Sequence, residues 1–293
     1  MTHVRSRQPG IIGTGRVAQA LVLALAPHSP SRPMLWGRAP EKLHVTAEQV
    51  GAIAIPDIAS LVTECDIIAI AVADDALPDI VPDIAAVLPM GRTPLIFHVS
   101  GGSGAAILDP LRAAGALTAA IHPAMTFTGD PAVEARRMVA ARFAITGSSA
   151  EATGAAKRIV ALLGGVAVEI AEDRRALYHA ALCHASNHLV TLIAGASRAL
   201  EEAGVDDPAA LLAPLVRASL ENSLTLGFAG LSGPLLRGDA RTIGGHLDTL
   251  ETHGPELLPA YRAMARATLD ELKRGGTIPS VGLAALDSLL AVP

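Results

Sequence analysis

The chain has 293 residues, 51% of them hydrophobic and 17% charged, with a formal net charge of −5. That length favours two packed domains, each with its own core, and the composition excludes a disordered chain or a cationic nucleic-acid binder, leaving a small molecule as the expected partner. Its two cysteines, Cys65 and Cys183, lie far apart without paired metal spacing and read as small packed hydrophobes.

In chain order, the opening MTHVRSRQPG has basic residues but no long apolar run behind it, so no signal peptide is expected. The apolar runs at 17–26 and 189–196 fall short of the roughly 20 residues of a membrane span, so no membrane partner is expected and the cytoplasm is the expected compartment. Short β-branched runs alternate with alanine-rich helical ones through the first half, which predicts βαβ units. Strands are expected at 10–12, 34–37, 52–55, 67–72, 95–99, 116–121, 143–146 and 166–170. From about Arg174 the strand signal ends, and Ala-, Leu- and Glu-rich segments follow, broken at 204–208, 227–234 and 253–259. The expected architecture is therefore α/β. A Rossmann-type, doubly wound, mostly parallel sheet spans 1–171, and an all-helical domain for substrate binding and dimerisation spans 172–293, opening at the EDRR run that begins with Glu172.

The strongest local pattern is Gly13-Thr14-Gly15-Arg16-Val17-Ala18, a G-x-G-x-x-A loop between a short apolar strand and an apolar helix. Gly13 permits a tight turn, Gly15 lets backbone amides approach a pyrophosphate, and Ala18 keeps the helix close to the sheet. The next strand ends in Trp36-Gly37-Arg38, where an NAD-specific site carries an acidic residue for the ribose hydroxyls, and Lys42 follows one helical turn later. Arg38 and Lys42 suit an adenosine 2′-phosphate, so the expected cofactor is NADP(H). Val72-Ala73-Asp74 ends another strand and is expected beside that cofactor.

Two further strand ends, at Ser100 and His122, should face the same crevice. Carbonyl reduction needs a donor to the oxygen that becomes alkoxide, which Ser100 or His122 can supply; the plainer reading of His98 and His122 is that they satisfy backbone groups at strand ends. His179, Cys183 and Asn187 recur every fourth residue and share one helix face, which suggests a buried site or a hydrogen-bonded structural cluster between helices. His184 and His188 have metal-compatible spacing, but no third ligand is evident and no metal is expected. A turn from Ser232 to Asp239 places Arg237 where its planar fork can take a carboxylate or phosphate, unless it is an interhelical cap with a surface ion pair.

Together, the glycine loop, His98-Val99-Ser100-Gly101, His122-Pro123, Tyr178-His179 with Asn187, and the turn Ser232-Gly233-Pro234-Leu235-Leu236-Arg237-Gly238-Asp239 resemble a bacterial family. In that family a Rossmann-like domain precedes a DUF2520 domain, and the similarity spans nearly the whole chain. The family lies near the 6-phosphogluconate dehydrogenase-like reductases, and some members look like alternative ketopantoate reductases of pantothenate synthesis. The resemblance thus implies NADPH-dependent reduction of a small 2-oxo acid, with ketopantoate as the best single substrate. Prephenate dehydrogenases carry a serine and a later His-Pro that resemble Ser100 and His122 in order and spacing, which implies catalytic roles for both. The lysine typical of conventional ketopantoate reductases has no match near Tyr178 to Asn187, so His122 or His179 would supply the proton. The expected substrate holders are Ser100, His122, Asn187, Ser232 and Arg237, in a homodimer. The alternatives are an enzyme of prephenate dehydrogenase or pyrroline-carboxylate reductase type, and a non-catalytic NADPH sensor.

Overall fold

A computed structural model of the chain describes residues 7–275 and 282–291. Residues 1–6, most of the stretch read for a leader, lie outside the described residues. Strands β1 (Pro9–Ile12), β2 (Met34–Trp36), β3 (Ile53–Ala54), β4 (Ile67–Ile70), β5 (Leu95–His98), β6 (Leu117–Pro123), β7 (Arg142–Gly147) and β8 (Val166–Glu169) form one sheet in the order β3-β2-β1-β4-β5-β6-β7-β8. Neighbouring strands are parallel except for β6 and β7. The expected doubly wound α/β sheet is thus present, with one antiparallel step.

The strands are nearly continuous apolar runs because both faces of the sheet are covered. Side chains alternate between the faces. Ile11, Ala69, Phe97 and Ile121 pack on one side with Leu21 and Val22 of α1 (Arg16–Leu25). Ile12, Ile68, Ile70 and Ile96 pack on the other with Leu61 of α3 (Ile58–Glu64) and Ile84 of α4 (Leu77–Val87). Burying each of the Ile, Leu, Val and Phe side chains contributes about 1.5–3 kcal/mol. The other helices of this unit are α2 (Pro40–Val50), α5 (Asp109–Ala113), α6 (Pro131–Arg137) and α7 (Ala150–Leu162). Their starts follow local chemistry: Asp57 caps α3 through the Ser60 amide, Ser149 caps α7 through the Ala152 amide, and prolines open α2 and α6.

The helical region comprises α8 (Arg175–Glu202), α9 (Pro208–Leu226), α10 (Ala240–His253), α11 (Leu258–Gly275) and α12 (Leu283–Leu289). The chain divides into two compact units, and the division falls inside α8, between Cys183 and His184. Ile243, Leu247, Ala265, Leu269, Leu286 and Leu290 form the core of the second unit. By contrast, only Pro208 is buried along the whole of α9. Among the described residues no helix is long and apolar enough to cross a membrane.

Candidate active site

The chain reverses its winding at β1, which lies between β2 and β4, and a crevice opens at the carboxyl ends of those strands. Gly13 leaves β1 with φ +126°, and a Cβ there would lie 2.2 Å from the Ala71 carbonyl oxygen. Only glycine fits. Its amide donates to the Trp36 carbonyl at 2.8 Å, tying the loop to β2. Gly15 is the N-cap of α1, a Cβ there would meet nothing within 4 Å, and the first turn of α1 holds no acidic residue. The positive end of α1 thus opens on free space at Gly15, an arrangement that suits an anionic phosphate.

Gly13, Thr14, Gly15, Gly37, Arg38, Lys42, Val72 and Ala73 line a single cleft of about 420 Å³, joined by Asp79 and Asp83 of α4 on its wall. Three further residues expected at the cofactor turn elsewhere. The Arg16 guanidinium donates to the Phe127 carbonyl at 3.1 Å, Val17 packs against the core, and the Asp74 carboxylate accepts from the Ser100 hydroxyl at 2.9 Å.

Strand register builds the second part of the site. His98 of β5 pairs with Ala120 of β6, so Ser100 and His122 both stand two residues further along, just past the paired segment. His98 is fully buried. Its Nε2–H donates to the Gly104 carbonyl at 2.8 Å, which leaves Nδ1 to accept the Ser100 amide at 3.1 Å. Both ring nitrogens are spent on the turn, so His98 shapes the site without reaching a ligand. The Ser100 hydroxyl gives its proton to Asp74 and accepts the Ser103 amide at 3.3 Å.

Nδ1 of His122 lies 2.9 Å from the Tyr178 hydroxyl. The two rings meet edge to face, and His179 meets His122 edge to face from another side at a centroid distance of 5.8 Å. A Cβ on Gly101 would stand 3.0 Å from His122 Nε2 and 2.5 Å from His179 Cδ2, so that glycine makes room for both rings. The Cys183 sulfur is 3.6 Å from His179 Nε2.

Burial, reinforced by the positive charge of Arg175, pushes the His122 pKa down to about 4. Burial raises that of Tyr178, opposed by Arg175, whose guanidinium carbon lies 5.5 Å from the Tyr178 ring centroid. At neutral pH the pair is therefore an uncharged imidazole and an uncharged phenol. When the phenol donates to Nδ1, the imidazole proton resides on Nε2, beside Gly101.

The other expected residues lie in the second unit. Asn187, Ser232 and Arg237 are exposed there. Asp239 caps α10 by accepting the Thr242 amide and hydroxyl, so the turn that carries Arg237 serves as a helix cap. His184 and His188 approach at 3.0 Å between their Nδ1 atoms, and among the described residues no group of three or more His, Cys, Asp or Glu side chains is placed to share a metal. Sequence reading gave no role to Glu172, Arg175 or Gly101, and quoted Tyr178 only as part of the resemblance. The EDRR run was a signal for the first two, but it was read as a domain boundary.

Two family models match this sequence, Rossmann-like domain over residues 3–123 and Domain of unknown function (DUF2520) over residues 141–268. The chain pairs a Rossmann-like domain with a DUF2520 domain. Tyr178, His179 and Asn187 fall in the DUF2520 segment, and the glycine loop falls in the Rossmann-like one. Similar solved structures include a proposed NADP oxidoreductase from Bacteroides fragilis, 21% identical, with TM-score 0.74 and covering 90% of this chain and 98% of its own. An imine reductase from Myxococcus stipitatus in complex with NADP+ is 19% identical, with TM-score 0.67 over 97% of this chain and 100% of its own. A pyrroline-5-carboxylate reductase from Coxiella burnetii is 15% identical, with TM-score 0.59 over 92% and 98%. These likenesses concern the fold. No curated protein matches the sequence significantly.

Proposed function

We propose that the chain is an NADP(H)-dependent oxidoreductase that reduces the carbonyl of a small 2-oxo acid, with ketopantoate as the leading candidate. The observation that carries this reading is the neutral His122–Tyr178 pair at 2.9 Å, next to the strand ends that flank the glycine-loop cleft. The cofactor would be held by the amides around Gly15 and by Arg38 and Lys42 in that cleft, and solved structures of similar fold that contain NADP+ or NADPH support the choice. Bound NADPH would supply the hydride.

The residues of the chain manage the proton. Nε2–H of His122 donates to the carbonyl oxygen and gives up its proton as that oxygen becomes an alkoxide. Nδ1 takes the Tyr178 proton in the same step, and the phenolate left behind is stabilised by the neighbouring Arg175 charge until water restores the proton. A neutral imidazole suits this role because its N–H polarises a carbonyl without the cost of burying a cation. Ser100, whose proton goes to Asp74, orients that carboxylate at the end of β4. His179, edge to face with His122, shapes the substrate side. The expected setting is the cytoplasm, and the functional unit a homodimer formed through the exposed apolar helices of the second unit.

Reduction of a cyclic imine is the second reading, since imine and pyrroline-carboxylate reductases share the fold. NADPH consumption with 2-oxo acids, cyclic imines and prephenate separates the cases. The carbonyl reading expects turnover of a 2-oxo acid. Turnover of imines alone supports the second reading, and saturable NADPH binding without any turnover would make the protein a sensor.

A further inference from the structure

Arg175 is 1% exposed, yet among the described residues no carboxylate pairs with it within salt-bridge distance. Instead its guanidinium donates to three backbone carbonyls: Nη2 to Ser100 at 2.7 Å, Nε to Ser103 at 3.0 Å, and Nη1 to Ala144 of β7 at 3.3 Å. Carrying an unpaired cation into the interior is costly, and an apolar side chain would fill the space without that penalty. One turn earlier, Glu172 accepts the amides of Ala105 at 2.8 Å and Ala106 at 3.2 Å. The two charged residues thus grip one loop from opposite chemical ends, carbonyls by the arginine and amides by the glutamate. That loop carries Ser100 and Gly101, and it bends around the fully buried His98.

We propose that Arg175, assisted by Glu172, is a positioning residue that clamps the Ser100–Ala106 segment onto β7 and so fixes Ser100 and Gly101 beside His122. Its hydrogen bonds go to backbone carbonyls alone, and its charge reaches the reacting groups only through the Tyr178 ring, 5.5 Å from the centroid. The inference rests on the proposed reductase reading only for its effect on turnover, because the clamp itself is visible without substrate. Its charge also bears on His122, which is faced by Arg175, His179, His98 and Asp74, with Tyr178 as the bonded neighbour; Arg175 and His179 favour the neutral ring and Asp74 opposes them.

The test uses the full chain, with labelled histidine for NMR and two variants, Arg175→Lys and Arg175→Met. Lysine keeps the charge but cannot reach three carbonyls with a planar fork, whereas methionine loses both. In both variants the ring N–H of His98 should exchange with solvent at least tenfold faster than in wild type, while the Phe97 and Ile121 sheet amides keep their protection. The His122 titration should stay near its wild-type midpoint in Arg175→Lys and move upward in Arg175→Met. Where a substrate has been found, both variants should lose kcat more than KM. Glu172→Gln, on the exposed side of the clamp, should speed His98 exchange less and provides a variant with little risk of unfolding. Unchanged His98 exchange in a folded Arg175→Lys protein would overturn the proposal, as would loss of protection spread evenly over the sheet, which would make Arg175 a general core residue. A substrate screen with no turnover would count against the reductase reading and leave the exchange result to decide the clamp.

Discussion

Tyr178 at the start of α8 and His122 near the end of β6 share one hydrogen bond, 2.9 Å between the phenol oxygen and Nδ1, across 56 residues of sequence. That bond joins the sheet to the first turn of the long helix and fixes which ring nitrogen of His122 faces Gly101.

The low pKa of His122 makes the protein sensitive to acid. The unfolded ring titrates near 6.5 and the folded one at about 4, so between these values the unfolded chain binds a proton that the folded chain does not. Stability attributable to this residue is full above pH 6.5, falls as pH drops towards 4, and levels off below; the total is about 3 kcal/mol. Buried His98 shifts in the same direction. Urea melts of wild type and His122→Asn at pH 7 and pH 4.5 should show a smaller pH-dependent loss in the variant. Equal losses would place the shift elsewhere.

Gly13→Ala forces a Cβ against the Ala71 carbonyl in a backbone region closed to L side chains. The variant should lose at least 1–3 kcal/mol of stability and most of its NADPH affinity. Fluorescence titration with NADPH and a thermal melt are sufficient measurements. Gly15→Ala, where space is open, should melt like wild type and differ mainly in cofactor affinity.

Arg38 and Lys42 line the cleft on the side of α2 and are the source of the expected NADPH preference. Arg38→Asp should erase or reverse the ratio of NADPH to NADH dissociation constants, a change of about tenfold or more for one phosphate contact. An unchanged ratio would remove Arg38 from the cofactor site.

The proposed homodimer rests on α9. Leu211, Leu215 and Leu224 are 54%, 63% and 76% exposed, a run of apolar surface that a soluble monomer seldom leaves uncovered. Light scattering at micromolar concentration should give twice the chain mass, and Leu215→Glu with Leu224→Glu should give the monomer mass. A monomeric wild type would contradict the proposal.

Much of this architecture was legible because its signals are local. All eight strands lie where β-branched runs stand between turn residues, and the glycine loop announces its own backbone geometry through Gly13. The antiparallel step at β7 was not legible, since strand direction leaves little trace in a short apolar run such as Phe143 to Ile145. The site was half legible. Ser100 and His122 could be found from their places at strand ends, but the proton of Ser100 goes to Asp74, a partner 26 residues away that spacing does not reveal. Arg175 lies in the EDRR run that marks the expected domain boundary, and its burial is not legible there because it depends on three carbonyls from two distant segments.

The most direct test compares steady-state NADPH oxidation by wild type, His122→Asn, Tyr178→Phe and His179→Asn, using the 2-oxo acid that wild type turns over. A well-placed proton donor contributes about 10²- to 10⁴-fold, so His122→Asn should lower kcat by that order with NADPH affinity nearly unchanged, Tyr178→Phe should lower it by about tenfold or more, and His179→Asn should do less. Turnover retained in His122→Asn but abolished in His179→Asn would contradict the account and move the proton donor to His179.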